Sequence, residues 1–258
     1  MADSLVHSLA SSSQLEAFDS FEYAEELCTL GSEWIQEAGV LLNLTQNCVI
    51  VCLILFRRYC TLYPPRVPDL DAIVMACVSI GSKTTETPAS VQDICNVVVY
   101  LKERFKDTNF KARGFIAHDL YSEEMYSSRN RLSNMELEVL RALNFDTHIV
   151  IPHKLAIHYL QTLQLIDNKK LLQITWNFLN DASRTRLCVL YPPFSLACGC
   201  IAMAARVIGM KLPKDWYRVF DTTKEEIDSL TSILENFYKT SAIAHKTLYL
   251  IFTEQVSA

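Results

Sequence analysis

The chain is poor in glycine and proline, the residues that most tight turns require. Six glycines and eight prolines occur in 258 residues, while half of the chain is hydrophobic. This balance supports buried helices and argues against disorder and against folds rich in β-turns. The motifs G-x-x-x-x-G-K-[ST], G-x-G-x-x-G, G-x-S-x-G and H-E-x-x-H are absent, which removes the commonest phosphate, dinucleotide, hydrolase and metalloprotease sites. We therefore expect a binding surface and not an enzyme, with no cofactor.

A zinc site and a secreted, disulfide-linked fold are also disfavoured. None of the nine cysteines forms a C-x-x-C pair, and most lie singly in apolar runs, where a thiol behaves as a small hydrophobe in a reducing compartment. Cys48 and Cys52 are one helical turn apart, but their apolar neighbours predict a core position and no metal. His153 and His158 are five residues apart and do not share a helix face, so packing or capping is expected of them.

Long apolar runs and an excess of basic charge are missing as well. The longest apolar run, residues 48–56, is too short to span a membrane. The first twenty residues contain acids but no lysine or arginine, which does not resemble a targeting signal. A net charge of -5 gives no general attraction to nucleic acid, so direct nucleic-acid binding is not expected. Five basic and two acidic residues within 102–113 are predicted to form a solvated loop.

A long internal repeat is the most informative feature that is present. The segment IVMACVSIGSK at 73–83 aligns with LACGCIAMAAR at 196–206, which lies 123 residues later, and both end on a cation. The match extends upstream over three predicted helices in each copy. A repeat of this length indicates two domains and not a solenoid module.

Helical spacing and capping residues predict five helices in each copy. In the first copy these cover about 30–42, 45–59, 70–83, 90–104 and 127–143, with Thr45 and Asp69 as caps of the second and third. The second copy begins at 152–154, has Trp176 in its core, and opens its last helix with a capping box at 222–225. A final short helix is expected within 241–252.

Several stretches of the sequence are jointly specific, although each alone is weak. The third helix is rich in alanine and cysteine and ends on Lys83, and the fifth contains MELEVLRALNFD. Further stretches are QEAGVLL at 36–42, PHK at 152–154, WNFLND at 176–181 with RT at 184–185, and FDTT at 220–223. Over about residues 30–240 the chain resembles the tandem cyclin box, most of all in the transcriptional cyclins of the L type, with a cyclin Q-like protein second.

The resemblance implies an all-α protein with two tandem five-helix cyclin-box domains. Their expected bounds are 29–147 for the N-terminal box and 148–240 for the C-terminal box. Residues 1–28 are expected to form a tail or a short accessory helix, and 241–258 a C-terminal segment.

The resemblance also implies a function, that of an activating regulatory subunit of a cyclin-dependent serine/threonine kinase. Its partner would be the catalytic subunit of the kinase. The protein would lie in the nucleus, with a cytoplasmic fraction also allowed, and would act in transcription or pre-mRNA processing. Within the family, a lysine at the end of helix three and a glutamate in helix five hold the kinase's mobile regulatory helix. The matching residues here are Lys83 and Glu136, whose alternatives are solvent exposure or an internal salt bridge.

Departures from the family pattern leave other functions open. The lysine is followed by Thr84-Thr85-Glu86 and not by paired acids, so the kinase partner can differ. The arginine motif by which cell-cycle cyclins dock substrates is not matched in helix one. The main alternative is a two-box general transcription factor that bridges DNA and polymerase, although such proteins usually add a zinc ribbon and a basic surface, and charge is mixed over 152–240.

Overall fold

The protein is entirely helical wherever its structure is described. The computed structural model describes residues 23–106 and 114–238, and these residues contain no β-strand. The α-helices are α1 (23–41), α2 (Gln46–Leu62), α3 (Leu70–Thr84), α4 (Val91–Lys106), α5 (Glu123–Ala142), α6 (Pro152–Thr162), α7 (Lys169–Ser183), α8 (Leu187–Leu190), α9 (Pro193–Ile208) and α10 (224–238). The predicted fold class is confirmed.

Helix α3 is the centre of the first box. Every residue from Leu70 to Ser82 is buried, and α2, α4 and α5 all pack against this helix. Such all-round burial explains why its sequence lacks an amphipathic pattern. The central helix is therefore exposed only at its C-terminal end, and its last turn is where it can present side chains.

Helix α9 has the corresponding role in the second box. It packs against α6 and α7, and its core residues contact Leu230 and Leu234 of α10 within one apolar cluster. The expected fourth helix is only a 3-10 helix, Trp216–Phe220. A loop that contains Pro213 precedes it, and Asp215 and Asp221 on either side have positive φ, so the chain turns too tightly there for an α-helix.

The repeat predicted from the sequence is confirmed by the helix positions. Helices α2 and α7 begin at Gln46 and Lys169, and α3 and α9 begin at Leu70 and Pro193. Both pairs differ by 123 residues (169 minus 46, and 193 minus 70). The two boxes thus use the same register for their central helices.

Predicted helix starts in the first box are correct in one case and wrong in another. The Thr45 side chain accepts a hydrogen bond from the Cys48 backbone N–H, so it caps α2 as predicted. Asp69 makes no side-chain capping bond and has helical φ and ψ. The backbone N–H of Ala72, which a cap at residue 69 would accept from, donates instead to the carboxylate of Asp71 at 3.0 Å.

Two predictions for the second box need correction. The capping box that opens α10 is formed by Thr223 and Glu226, whose side chains each accept from the other's backbone N–H, and not by Thr222 and Glu225. Trp176 is only half-buried, because it lies on the flank of α7 against His153. It does not fill the core as expected.

Some expectations lie at or beyond the limits of the described residues. Helix α1 is already formed at residue 23, so the boundary proposed between residues 28 and 29 falls inside this helix. Residues 1–22, 107–113 and 239–258 lie outside the described residues, and with them the predicted final helix and part of the basic segment. Among the described helices, none has the length and apolar character needed to cross a membrane.

A buried arginine connects the two boxes. Arg57 of α2 is 2% exposed, and it forms an ion pair with Glu25 of α1 at 2.8 Å. Its second amino group donates to the backbone carbonyl of Arg184 at the end of α7. The Arg184 side chain in turn reaches back to Glu33 of α1 at 2.8 Å. Charged side chains from each box therefore bond to the other.

Candidate functional site

The two residues singled out from the sequence, Lys83 and Glu136, lie side by side. The Lys83 Nζ is 2.5 Å from Oε1 of Glu136, although 53 residues separate them along the chain. Ser79 also donates its hydroxyl to the same carboxylate oxygen at 3.3 Å. In the free chain the pair therefore adopts the internal salt bridge that was one of the alternatives.

The position of Lys83 follows from the burial of its helix. Residues of α3 are buried up to Ser82, and Lys83 is the first to emerge, with 55% of its side chain exposed. A cation in the last turn of a helix interacts favourably with the partial negative charge of the helix C-terminus. Glu136 lies on α5, which packs along α3, and its side chain is 18% exposed.

The turn after Lys83 is held by hydroxyl groups. Thr84 and Thr85 both donate their side-chain hydroxyls to the carbonyl of Gly81, at 3.0 and 2.8 Å. Glu86 then has a positive φ of 56°, which turns the chain away from the helix axis. These bonds add to the one that the Thr85 backbone N–H makes to the same carbonyl, so the exposed end is ordered.

Asp71 fixes α5, and therefore Glu136, relative to α3. Its carboxylate accepts from Arg131 of α5 at 2.7 and 2.9 Å and from Lys102 of α4 at 2.6 Å. Burial tends to raise the pKa of Asp71, but the hydrogen bond from Arg131 and the charge of Lys102 outweigh it and hold the pKa below its ordinary value. This residue was missed from the sequence, where an acid inside an apolar helix is the only signal.

The pair at the end of α3 has a counterpart in the second box. Arg206 of α9 follows Lys83 by 123 residues (206 minus 83) and forms an ion pair with Glu235 of α10 at 3.1 Å. In both boxes the end of the central helix is thus tied to the last helix. An ion pair at this place is therefore a property of the fold of both boxes. An experiment on the function of Lys83 and Glu136 needs the Arg206–Glu235 pair as its control.

The chemistry of the Lys83–Glu136 pair suits backbone recognition. An ammonium group has three donors and no acceptor, whereas a carboxylate only accepts and offers about four lone-pair sites. Together they can bind carbonyl and N–H groups of an incoming segment without any covalent step. The pair can recognise a helix terminus or a turn of another protein.

Thiols and imidazoles contribute packing and no metal site in the described residues. No group of three His, Cys, Asp or Glu side chains is placed to hold a metal there. The Cys48 and Cys52 sulfurs are 4.0 Å apart, and the bond from Cys52 lowers the pKa of Cys48 to about 6. His153 is fully buried, and His158 lies on the exposed side of α6.

Comparison with known proteins assigns the family. The family model described as "Cyclin, N-terminal domain" matches residues 22–148. Cyclin-L1 of Danio rerio is 34% identical over 221 residues, which are 84% of this chain and 43% of that protein. The chain belongs to the cyclin family. Cyclin-L2 of Homo sapiens is 33% identical over 207 residues, which are 80% of this cyclin and 39% of that one. The chain thus spans about two fifths of the length of these curated relatives.

A solved structure supports the fold of this cyclin. A chain of the yeast RNA Pol II CTD kinase CTDK-1 complex superposes with a TM-score of 0.70, over 86% of this chain and 68% of that chain. The sequence identity is 18%, so the likeness concerns architecture alone. It covers both boxes and agrees with the tandem arrangement inferred from the repeat.

Proposed function

We propose that this cyclin is a non-catalytic, activating subunit of a cyclin-dependent serine/threonine kinase, with a nuclear role in transcription or pre-mRNA processing. The observation that carries the proposal is the Lys83–Glu136 pair, exposed at the junction of α3 and α5 in a chain of the cyclin family. The names of the L-type relatives and the kinase complex that contains the structural neighbour support it.

The pair acts by exchanging its internal bond for bonds to the kinase. Lys83 donates to carbonyl groups at the end of the kinase's mobile regulatory helix, and Glu136 accepts from backbone N–H groups of the same element. Charge-assisted hydrogen bonds of this kind are about twice as strong as neutral ones. Because more than half of Lys83 is exposed, breaking the internal pair costs little, about 1 kcal/mol or less.

Activation follows from which kinase conformation can form these bonds. A kinase is active when its regulatory helix is positioned so that an internal Lys–Glu ion pair forms. A cyclin that binds the helix only in that position shifts the population toward the active state. The Asp71 bonds to Arg131 and Lys102 keep α3, α4 and α5 together, so little binding free energy is spent on ordering the surface.

The first prediction concerns Lys83→Ala and Glu136→Ala. Each is expected to weaken kinase affinity by about thirty-fold, which corresponds to about 2 kcal/mol, since truncation leaves a buried partner group without a bond. The double variant should cost less than the sum, because both residues act on one element. The partner kinase is first recovered by affinity purification and then produced separately. Its affinity for each variant and the phosphorylation that each variant stimulates are measured with this kinase.

The chain contains a matched control for this experiment. Arg206→Ala and Glu235→Ala remove the corresponding ion pair of the second box and should leave kinase affinity unchanged. Equal losses at both pairs would mean a general effect on the fold, and circular dichroism would then differ from wild type. Wild-type affinity in all Lys83 and Glu136 variants would refute the assigned surface, and recovery of polymerase and DNA without a kinase would favour a transcription factor.

A further inference from the structure

One dipeptide sets the turn between α3 and α4 apart from the rest of the chain. Thr87-Pro88 is the only place in the 258 residues where a serine or threonine precedes a proline. Proline has no backbone N–H to donate. A kinase cleft that offers no hydrogen-bond acceptor to the residue after the phosphorylated hydroxyl can therefore accommodate proline at that position. A serine or threonine followed by proline is the pair that proline-directed serine/threonine kinases phosphorylate.

The dipeptide lies where a kinase can reach it. Residues 87–90 have no regular secondary structure, Glu86 and Pro88 are exposed, and Thr87 is half-buried. The Thr87 hydroxyl is 3.0 Å from that of Thr85, and its backbone N–H bonds to the carbonyl of Ser82. These two bonds and the contact of its hydroxyl with the Cys48 thiol have to be given up for the threonine to enter a kinase cleft in extended form.

The cavity beside Thr87 is suited to a phosphate group. It has a volume of about 460 Å³, and the residues that line it include Lys154, His148 and Asn47 but no aspartate or glutamate. Thr45, the cap of α2, lies on the same wall, so the positive end of that helix also faces the cavity. An anion in this cavity can therefore interact with a cation, an imidazole and an amide, and no carboxylate of the lining repels it.

We propose that Thr87 is a phosphorylation site for a proline-directed serine/threonine kinase and that Lys154 and His148 hold the phosphate in this cavity. In the transfer, Oγ1 of Thr87 bonds to the γ-phosphorus of ATP, the bond to the ADP oxygen breaks, and the hydroxyl proton passes to the kinase's catalytic base. The product carries about -1.5 to -2 charges and three acceptor oxygens.

The phosphate would join the two boxes. Thr87 follows the end of α3 in the first box, whereas Lys154 lies in the first turn of α6 in the second. Charge-assisted bonds between them would add to the connection made by Arg57. This effect depends on the chain alone and not on the proposed role as a kinase regulator.

The site is tested by incubating the full chain with a purified proline-directed kinase and ATP, followed by intact mass and peptide mapping. One phosphate on Thr87 is expected, absent in Thr87→Val and sharply reduced in Pro88→Ala. The matched control Thr85→Val, which keeps the dipeptide, should still be phosphorylated. No incorporation, or incorporation that survives in Thr87→Val, would overturn the site.

The binding of the phosphate is tested by thermal unfolding of the phosphorylated and unphosphorylated chain. Phosphorylation should raise Tm by about 2–4 °C, the shift that about 1 kcal/mol produces in a protein of this size. Lys154→Met, which keeps the length of the side chain but removes its charge, should abolish the increase. An unchanged increase in Lys154→Met, or none in wild type, would refute the assigned phosphate contacts.

Discussion

At the scale of single residues, the buried histidine of α6 makes stability depend on pH. His153 is fully buried, its Nε2 is 2.9 Å from Oδ1 of Asn180, and its ring meets that of Trp176 edge to face at 4.8 Å. Burial lowers its pKa to about 4, and the bond to Asn180 only partly opposes this. The folded protein therefore holds His153 in the neutral form.

The sign of the pH dependence follows from this shift. Below the ordinary histidine pKa of about 6.5, His153 binds a proton in the unfolded chain but remains neutral in the folded chain. The stability that the neutral form contributes is thus present above pH 6.5 and is lost as the pH falls to about 4. We expect the free energy of unfolding to decrease by about 3 kcal/mol over that interval, at about 1.4 kcal/mol per unit.

Urea unfolding between pH 4 and 7 measures this effect. In His153→Gln the part of the pH dependence of the unfolding free energy that His153 causes between pH 6.5 and 4 should disappear, while the carboxylates continue to titrate. His158→Gln changes an exposed imidazole and should leave the slope as in wild type. An unaltered slope in His153→Gln would assign the pH dependence to other groups.

At the scale of secondary-structure elements, the close approach of α2 and α3 depends on a glycine. A Cβ atom added to Gly81 would lie 2.3 Å from the Cys52 sulfur and 3.2 Å from the Cys52 backbone nitrogen. In the second box, a Cβ on Gly199 of α9 would meet only the side chain of Leu230, at 2.6 Å. Backbone cannot move aside as the tip of a leucine can.

The two glycines therefore predict different results for the same substitution. Alanine favours a helix by about 1 kcal/mol over glycine, which should nearly offset the small adjustment of Leu230 in Gly199→Ala. In Gly81→Ala the helices must separate, and a net loss of about 1–3 kcal/mol is expected from overpacking. Chemical denaturation compares the two variants, and equal stabilities would show that α2 and α3 can separate without cost.

At the scale of the whole molecule, the boxes are coupled by polar bonds across their junction. Arg57 bonds to the Arg184 carbonyl, Arg184 pairs with Glu33, and Gln46 of α2 donates to Asn180 of α7 at 2.9 Å. A buried guanidinium is costly unless its partners are in place. The docking of the second box on α2 is therefore coupled to the folding of the first box.

This coupling predicts how the molecule unfolds. Wild type should show one calorimetric transition, because separating the boxes takes the Arg184 carbonyl from Arg57 and the Arg184 side chain from Glu33. Arg57→Met keeps most of the volume but leaves Glu25 unpaired and the Arg184 carbonyl without its donor. We expect a loss of about 1–3 kcal/mol, the cost of a buried acceptor left without its donor, and two separate transitions. The neighbouring Arg58→Met removes an arginine whose pair with Asp146 is longer, at 3.9 Å, and should keep a single transition.

Local features of the sequence determined the helical class, the repeat and several helix ends. Periodicity and capping act over three or four residues, so the cap at Thr45 and the exposed cation at Lys83 could be read without knowledge of the fold. The same reasoning failed at Asp69, because the carboxylate of Asp71 accepts the Ala72 N–H that a cap at residue 69 would bond. Competing local bonds of similar strength are not distinguished by the pattern alone.

Contacts between distant residues were decided only by the tertiary structure. The burial of Arg57, the bonds that hold Asp71, the pairing of Lys83 with Glu136 and the cavity shared by Thr87 and Lys154 depend on how α2, α3 and α5 cross and on how the second box docks. Helix crossings are set by the summed packing of many side chains, and each contact contributes only a small part of that energy. For this reason the sequence located the candidate functional residues on their helices, and the packing of those helices determined their partners.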